Sequence, residues 1–513
     1  MPLKKTVPPQ TRTSGVFLHV TSLPSRFGIG DLGRAARAWI DRLSQAKQTW
    51  WQFLPLNPAG AGNSPYHALS AFAGDPNLIS PEDLAADGLL HLEDLEAETF
   101  PDDRVDFARV TQFKNRLWLL AAQRFFAASS PIRAQFDQFV AENLNWLGDF
   151  ALFMAIKESR GTEAWHKWEP GLELRDPGAL DRARHLLAAE IRRHELIQFL
   201  FFRQLRALKQ YANKHWVKLL GDLPIFVSDN SADVWANPDL FLLDEDRRPK
   251  FVAGVPPDYF SKTGQRWGSP HYNWPAMERD DFAWWRARIG QLLGYVDRVR
   301  IDHFRGFSAA WQIAASSPTA EKGRWVKAPG LKLFRGVQRD IGALPFIAED
   351  LGLITPGVRR LRGRLGLPGM RVLQFGFNGD PANQFLQHNF VTNCAAYTST
   401  HDTDTAAGWY AALGKEDGDF FRRYTNTDAK EAAWTLIRLA WSSVADTAMT
   451  TLQDVLGLGS ESRLNTPGIA RGNWAWRVRT ADLAQERFDR LRELTDVFGR
   501  APKAAEENEP SHG

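Results

Sequence analysis

Short apolar runs recur along the chain and predict buried strands. Each run ends in a polar or Gly-rich turn. Near-continuous apolar runs of this length are typical of strands that are buried on both faces, as in parallel sheets. Eight such runs occur, at residues 15–20, 49–56, 218–227, 297–304, 345–350, 371–377, 394–402 and 449–456.

Helical patterns lie between many of these runs, with apolar residues three or four positions apart. The clearest are at residues 34–43, 282–294, 355–365 and 431–441. Strands that alternate with helices indicate βα units, and eight such units favour a closed barrel over an open sheet. We therefore expect an α/β protein, a TIM (β/α)8 barrel with large, mostly helical insertions between barrel strands.

The uneven spacing of the runs predicts the domain organisation. Connections in βα units normally have a few residues, so the long gap between the second and third runs must hold a subdomain. Helical periodicity fills that gap, whereas the segment after the third run is rich in Gly, Pro, Asp and Trp. The expected parts are barrel strands 1 and 2 with their loops (14–80), a helical insertion subdomain (81–215), barrel strand 3 (216–227), a loop-rich insertion at the barrel mouth (228–285), the remaining barrel (286–498) and a disordered tail (499–513).

Composition and charge narrow the function classes. The 513 residues include one cysteine, Cys394, so an intrachain disulfide is excluded. With 63 Lys and Arg against 60 Asp and Glu, the net charge of +3 argues against a nucleic-acid partner. The first residues lack the apolar core of a secretory signal, and the longest uncharged stretch, 48–74, holds too many Pro and Asn residues for a membrane helix. We expect a cytoplasmic protein that binds neither nucleic acid nor membrane.

The segment VRIDHFRG (299–306) carries the strongest local signal for chemistry. Residues two apart on a strand share a face, so Arg300 and Asp302 point the same way. A neighbouring arginine is expected to lower the pKa of the carboxyl, and an ionised, oriented carboxylate suits a nucleophile. Asp302 lies where the run stops, at the barrel mouth that carries the catalytic residues of this fold. A purely structural ion pair is the alternative.

Two further strand ends carry acids. Glu349 and Asp350 are neighbours and therefore face opposite ways, so one of them could be a general acid at the mouth. His401 and Asp402 form a pair that could bind a metal or hydrogen-bond a substrate's hydroxyls. The metal interpretation lacks a third ligand at a recognisable spacing.

Three acids at three strand ends form an arrangement suited to glycosidic bonds. Two carboxyl groups about 5–5.5 Å apart are typical of retaining glycosidases, and a third carboxylate can stabilise positive charge in the transition state. The 20 tryptophans, several of them in Gly- and Pro-rich loops, offer flat platforms for sugar rings. Together these features favour carbohydrate chemistry.

At the level of motifs, the chain resembles the 4-alpha-glucanotransferase family, also called amylomaltase or disproportionating enzyme, a relative of the alpha-amylases. The resemblance covers roughly residues 14 to 480. The segments that carry it are HVTSLPSRFGIGDLG (19–33), SPYHALSAFAGDPNLIS (64–80), SADVWANPDLF (231–241), GVPPDYFSKTGQRWGSPHYNW (254–274), VRIDHFRG (299–306), AEDLG (348–352), STHDT (399–403), LNTPG (464–468) and GNWAWR (472–477).

The resemblance implies roles for individual residues. It implies that Asp302 is the nucleophile, Glu349 the general acid and base, and Asp402 the carboxylate that stabilises the transition state. The residues that it implies for substrate binding are Arg300, His401, Tyr66, Asp258, Trp267 and Asn465. The third run, DLPIFVSDN, lacks the Asn–His ending of the alpha-amylases, so calcium contacts of the amylase type are not carried over.

The implied activity is transfer of α-1,4-glucan segments between malto-oligosaccharides, or to glucose, by a retaining double displacement that needs no cofactor or metal. Three alternatives stay open from the sequence. They are an α-glucan hydrolase of the same chemistry, a non-catalytic glucan-binding protein on an inherited barrel, and a metal-dependent sugar isomerase barrel.

Overall fold

The strands of this computed structural model fall into two sheets. The structure describes residues 12–96, 99–127, 129–161, 164–257, 261–469 and 471–502. The strands in these ranges are β1 (Thr13–Phe17), β2 (Trp50–Gln52), β3 (Lys218–Leu223), β4 (Phe251–Val255), β5 (Gln265–Pro270), β6 (Arg298–Ile301), β7 (Ala309–Ala314), β8 (Gly323–Lys327), β9 (Phe346–Ala348), β10 (Gly369–Val372), β11 (Cys394–Tyr397) and β12 (Thr447–Thr451).

Eight parallel strands close into a barrel in the order β1–β12–β11–β10–β9–β6–β3–β2. The first and last strands seal it, with Gly15 opposite Met449. The predicted TIM barrel is confirmed, and each apolar run supplies one barrel strand. The strands are shorter than the runs because the apolar character continues into the buried turn that follows each strand. In the first, sixth and eighth runs the strand begins two residues earlier, at Thr13, Gly369 and Thr447, and the second half of the eighth run is a short helix.

Helices surround the barrel and fill the long insertion. Those predicted at 34–43, 282–294, 355–365 and 431–441 are observed with bounds within two residues of those expected. The α-helices of the described ranges are α1 (Arg34–Gln45), α2 (Pro81–Ala86), α3 (Phe107–Ala127), α4 (Arg133–Glu142), α5 (Leu147–Ser159), α6 (Pro170–Glu173), α7 (Pro177–Leu186), α8 (Ala188–Lys214), α9 (Ala232–Ala236), α10 (Trp274–Arg279), α11 (Ala283–Tyr295), α12 (Gly330–Ile341), α13 (Pro356–Arg364), α14 (Ala406–Ala411), α15 (Lys415–Thr425), α16 (Ala432–Ser442), α17 (Leu452–Leu456) and α18 (Gln485–Val497).

The segment 81–215 holds α2 to α8. Ser80 begins it as an N-cap, because its side chain accepts a hydrogen bond from the backbone N–H of Asp83. Two glutamines of α8 attach the insertion to the loop after β2: Gln198 exchanges hydrogen bonds with the backbone of Gly74, and Gln204 does the same with Ser80. The long helix α8 then leads directly into β3.

The segment 228–285, expected to be mainly loop, contains α9, β4, β5 and α10. The strands β4 and β5 join β7 and β8 in an antiparallel sheet of order β5–β4–β7–β8. The sheet was not predicted because Gly or Pro interrupts the apolar pattern of β4 and β5, Gln312 interrupts that of β7, and β8 is largely exposed. It places Trp267, on β5, close to the end of β6.

The predicted disordered tail begins too early. Arg500 is fully buried and donates hydrogen bonds to the backbone oxygens of Trp441, Thr13 and Ala445. The remainder of the predicted tail, 503–513, lies outside the described residues. Within the described ranges, no helix has the length and apolar character that a membrane crossing requires.

Candidate active site

Acidic side chains from four barrel strands meet at one end of the barrel. Asp302 directly follows β6, Glu349 directly follows β9, and Asp402 lies in the segment after β11. Asp222 belongs to β3 itself, near its carboxyl end. The carboxyl ends of parallel barrel strands share one mouth, which is where TIM-barrel enzymes place their active sites.

Arg300 connects three of these acids. Its Nη1 lies 2.7 Å from Asp222 Oδ2 and 3.0 Å from Asp302 Oδ1. Its Nη2 lies 3.6 Å from Glu349 Oε2. The guanidinium side chain is 5% exposed, so these ion pairs are shielded from solvent. The shared face expected for Arg300 and Asp302 is observed, and it also holds Glu349 beside Asp302.

Glu349 and Asp350 point in opposite directions, as their adjacency on a strand end predicts. Glu349 faces Arg300 and accepts a hydrogen bond from the backbone N–H of His303. Asp350 is buried on the other side of β9, where it pairs with Arg362 and accepts the N–H of Met370 at 2.8 Å. Glu349 is therefore the member of the pair that belongs to the acid cluster.

The turn after Asp302 is held in an unusual conformation. His303 has φ of +45°, in the left-handed region that residues other than Gly seldom adopt. This turn aims the His303 N–H at Glu349 and sets the imidazole edge-on to Trp267, with ring centroids 4.9 Å apart. Strain of this kind is concentrated at functional sites, where the surrounding structure enforces it.

Asp402 is held by two neighbours. Asn465 Nδ2 donates to its Oδ1 at 2.6 Å, and His401 Nε2 lies 3.2 Å from its Oδ2. The Asp402 side chain nevertheless stays 44% exposed, so it is open to a ligand in the mouth. Asn465 thus lies beside the acid cluster, and its role in substrate binding stays a prediction.

Tyr66 links Asp222 on β3 to His401 in the segment after β11. Its hydroxyl donates to Asp222 Oδ2 at 2.8 Å and lies 2.9 Å from His401 Nε2. The Tyr66 and His401 rings also stack, with centroids 5.4 Å apart. Because Arg300 contacts the same Asp222 carboxylate, Tyr66 and His401 belong to one network with the acid cluster.

The environment separates the acids electrostatically. Asp402 is only partly buried, and the resulting loss of hydration opposes its ionisation, but His401, Asn465 and Arg300 together outweigh it and hold the pKa of Asp402 well below its usual range. Burial raises the pKa of Asp302 and of Glu349, and Arg300 opposes that effect without cancelling it. The expected lowered pKa of Asp302 is therefore wrong in its net direction, because burial outweighs the arginine.

Asp302 and Glu349 titrate as a pair, because each negative charge disfavours the other. In such pairs one proton is held to higher pH than an isolated carboxyl would hold it. Arg300 contacts Asp302 more closely, at 3.0 Å against 3.6 Å, and Asp302 is the more exposed of the two. Both differences favour the ionised form of Asp302, whereas the hydrogen bond from the His303 N–H favours the ionised form of Glu349.

The sequence did not single out Asp222, although the structure places it at the centre of the network. A lone acid inside an apolar strand was the signal that could have found it, since such a group needs a buried partner.

Of the predicted substrate-binding residues, Asp258 lies outside the described residues. Within the described ranges, no three His, Cys, Asp or Glu side chains are arranged to hold a metal ion.

The barrel thus has the architecture of TIM-barrel enzymes that act on glycosidic bonds, which pair two carboxyl groups at the barrel mouth. Residues 18–483 match the family model described as 4-alpha-glucanotransferase, and the chain belongs to that family. The resemblance predicted from the motifs is thereby confirmed.

Similar proteins support the assignment over nearly the full chain. The chain is 47% identical over 498 residues to a 4-alpha-glucanotransferase of Thermus thermophilus, covering 95% of this chain and 99% of that protein. It is 42% identical over 508 residues to a chloroplastic/amyloplastic 4-alpha-glucanotransferase of Solanum tuberosum, covering 97% of this chain and 88% of that protein. Its structure is similar to that of amylomaltase from Streptococcus agalactiae in complex with acarbose, with a TM-score of 0.93, 38% identity, and coverage of 96% and 100% of the two chains.

Proposed function

We propose that this enzyme transfers α-1,4-glucan segments from a donor to an acceptor malto-oligosaccharide or glucose by a retaining double displacement. The observation that carries the proposal is the contact of one guanidinium, that of Arg300, with both Asp302 and Glu349. Retaining enzymes need their two carboxyl groups close together, because one attacks the sugar while the other serves the leaving oxygen. A shared arginine keeps them neighbours.

In the first half-reaction the Asp302 carboxylate attacks C1 of the donor glucose unit. Glu349 gives its proton to the glycosidic oxygen, the C1–O bond breaks, and the freed glucan end leaves with a new hydroxyl. A covalent glucosyl–Asp302 ester remains. The raised pKa of Glu349, caused by burial, suits a group that must still hold a proton near neutral pH.

In the second half-reaction Glu349 acts as the base. It takes the proton from the 4-hydroxyl of an acceptor glucan, whose oxygen attacks C1 and displaces Asp302. Each step inverts the configuration at C1, so the product keeps the α configuration of the donor. Glu349 ends protonated and Asp302 ionised, which restores the starting state.

Asp402 is proposed to stabilise positive charge at the reacting sugar. Its pKa is held low by His401, Asn465 and Arg300 against the effect of burial, so it stays ionised when an oxocarbenium-like transition state forms. Asn465 and His401 already contact the carboxylate and can also reach sugar hydroxyls. Tyr66 and Arg300 are proposed to position these groups through Asp222.

Transfer competes with hydrolysis at the covalent intermediate. The aromatic ring of Trp267 lies against His303, directly after the proposed nucleophile, and is proposed to form an acceptor platform that excludes water. Asp258, in the same insertion, stays a predicted substrate contact. A related amylomaltase was crystallised with acarbose, which supports an α-glucan oligosaccharide as the ligand of this mouth.

The experiment is a product ladder from maltotriose. Longer oligosaccharides together with glucose are expected, with α configuration at the new bonds by proton NMR. Asp302→Asn and Glu349→Gln are each expected to lower the rate by at least about a thousandfold. Release of glucose and maltose without longer products would assign hydrolysis instead, and full activity of Asp302→Asn would overturn the assignment of the nucleophile.

A further inference from the structure

We propose that Asp454 is a positioning residue that fixes the segment 398–406 and thereby the placement of Asp402 at the mouth. The inference rests on the transition-state role proposed above for Asp402. The side-chain hydrogen bonds of Asp454 run to the two ends of the segment that carries Asp402, and not to that carboxylate itself. Asp454 is fully buried and lies on α17, beyond the barrel strand next to β11.

One carboxylate closes the segment at both ends. Oδ2 of Asp454 accepts hydrogen bonds from Thr398 Oγ1 and Ser399 Oγ, each at 2.6 Å, where the chain leaves β11. Oδ1 accepts the backbone N–H of Ala406 at 2.7 Å, where α14 begins. His401 lies between these anchor points, together with Asp402. The segment is therefore a loop whose two ends meet on a single side chain.

Asp454 is itself fixed. Thr451 Oγ1 accepts its backbone N–H at 3.2 Å as the N-cap of α17, directly after β12. Since β12 pairs with β11, the anchor belongs to the rigid barrel wall. Sites are placed more accurately when rigid elements and a supporting layer of hydrogen bonds hold the reacting groups.

The arrangement is costly for folding, which favours a functional reason for it. Among the described residues, no Lys, Arg or His forms an ion pair with Asp454, so neutral donors alone compensate a buried carboxylate. Burial raises the pKa of Asp454, and the hydrogen bonds from Ser399 and Thr398 oppose that effect. Proteins usually pair a buried carboxylate with a cation, and exceptions to such rules occur mostly at functional sites.

The test substitution is Asp454→Asn, which keeps the shape but replaces one acceptor oxygen with a donor. The remaining oxygen can keep the Ala406 N–H, but the amide N–H2 then donates to the Thr398 and Ser399 hydroxyls, so the charge-assisted hydrogen bonds at that end of the segment are replaced by weaker neutral ones. We expect kcat to fall at least about tenfold with a smaller change in KM, because misplacement of a charged group by a fraction of an ångström weakens transition-state binding most.

The distinguishing measurement is a double-mutant cycle with Asp402→Asn, assayed on an aryl maltotrioside with a good leaving group. If Asp454 acts through Asp402, Asp454→Asn should have little further effect on kcat once Asp402 is replaced. A residue that only supports folding would lower the melting temperature and leave the coupling near zero.

Asp31→Asn is the matched control. Asp31 is also buried and also accepts a backbone N–H, that of Gly33 at 3.0 Å, but it lies after β1, and its hydrogen bond stays within its own turn. It is expected to change the melting temperature without coupling to Asp402.

If Asp454→Asn does not fold, Ser399→Ala and Thr398→Val remove the two hydroxyl donors singly and are expected to give smaller, still coupled losses.

The outcomes separate the two proposals. An unchanged kcat in Asp454→Asn, or a loss that adds in full to that of Asp402→Asn, would overturn the positioning role. Full activity of Asp402→Asn alone would instead overturn the proposed function of Asp402. Coupled losses with an inert Asp31→Asn would support both.

Discussion

Asp222 and Arg300 are direct register partners on the neighbouring strands β3 and β6, and their side chains form a buried ion pair of 2.7 Å. The Asp222 side chain is completely shielded from solvent, so this ion pair holds the Arg300 side chain in place. The other contacts of the guanidinium are with Asp302 and Glu349. One cation thus faces three carboxyl groups. This excess of negative charge adds to the effect of burial in raising the pKa of Asp302.

Arg300→Lys tests whether this bridge is needed for activity. Arginine presents a planar fork that can contact several carboxylates, whereas a lysine ammonium is a point charge that cannot span Asp302 and Glu349 together. We expect kcat to fall about a hundredfold, since misplaced reacting groups cost factors of that order. Steady-state kinetics on maltotriose measures the effect.

Arg298→Lys is the control for that substitution. Arg298 lies two residues earlier on β6 and donates to Thr447 Oγ1 at 3.0 Å, away from the acid cluster. It is expected to lower stability without a comparable loss of kcat. Equal losses in both variants would show that the arginine at 300 serves the barrel rather than the site.

Glu349→Gln should stabilise the protein at neutral pH while abolishing transfer. Burial raises the pKa of Glu349 above its ordinary value of 4.5, so the unfolded chain releases this proton at lower pH than the folded protein does. Between the two pKa values the folded state binds more protons, and its stability therefore falls as pH rises. Replacing the carboxyl group with an amide removes this loss of stability. The loss amounts to about 1.4 kcal/mol for each unit by which the pKa in the folded protein exceeds that in the unfolded chain.

Thermal unfolding of wild type and Glu349→Gln between pH 4 and 8 measures this difference. The melting temperatures should separate progressively as the pH rises above the ordinary pKa of 4.5. Glu431→Gln is the control, because Glu431 is paired with Arg490 near the surface and its pKa is lowered rather than raised. A difference that stays constant with pH would contradict the raised pKa of Glu349.

The barrel strands could be predicted because burial on both faces leaves a continuous apolar run. The antiparallel sheet could not, since β8 is largely exposed and Gly and Pro interrupt the apolar pattern around β4 and β5. Alternation along a strand sufficed to pair Arg300 with Asp302 and to separate Glu349 from Asp350. The alternation could not predict the direction in which the pKa of Asp302 is shifted, because that depends on burial by residues distant in sequence.

Contacts that join distant segments were also beyond the sequence. Asp222 meets Arg300 across 78 positions, and Thr398 and Ser399 meet Asp454 across more than 50. Neither acid has a local partner that would mark it as a network member. The partners of both acids became visible only when the barrel closed and brought their strands side by side.

Trp267→Ala should shift the balance from transfer toward hydrolysis. Loss of the ring beside His303 opens the proposed acceptor platform to water, so the ratio of glucose release to transfer is expected to rise several-fold. Free glucose measured against total product from maltotriose gives this ratio. Trp325→Ala, on β8 of the same sheet and 38% exposed, is the control and should leave the ratio unchanged.

Arg500→Met tests the correction to the predicted tail. The Arg500 guanidinium is fully buried and bonds the carbonyl oxygens of Trp441 at 2.7 Å, Ser443 at 2.9 Å and Thr13 at 3.0 Å, thereby joining α16, β1 and the end of α18. Methionine fills a similar volume but leaves these acceptors without a donor.

The expected cost of Arg500→Met is about 3 kcal/mol in the free energy of unfolding, since buried acceptors that lose a charged donor cost about 1–3 kcal/mol each and partial relaxation recovers some of it. The exposed Arg438, which lies over the Phe498 ring, provides the control variant Arg438→Met, with an expected change below about 0.5 kcal/mol. Because Arg500 contacts Thr13 at the amino end of β1, whereas the acids lie at the carboxyl ends of the strands, kcat at temperatures below unfolding should stay unchanged. A melting temperature equal to wild type would mean that the chain beyond α18 contributes nothing to the barrel.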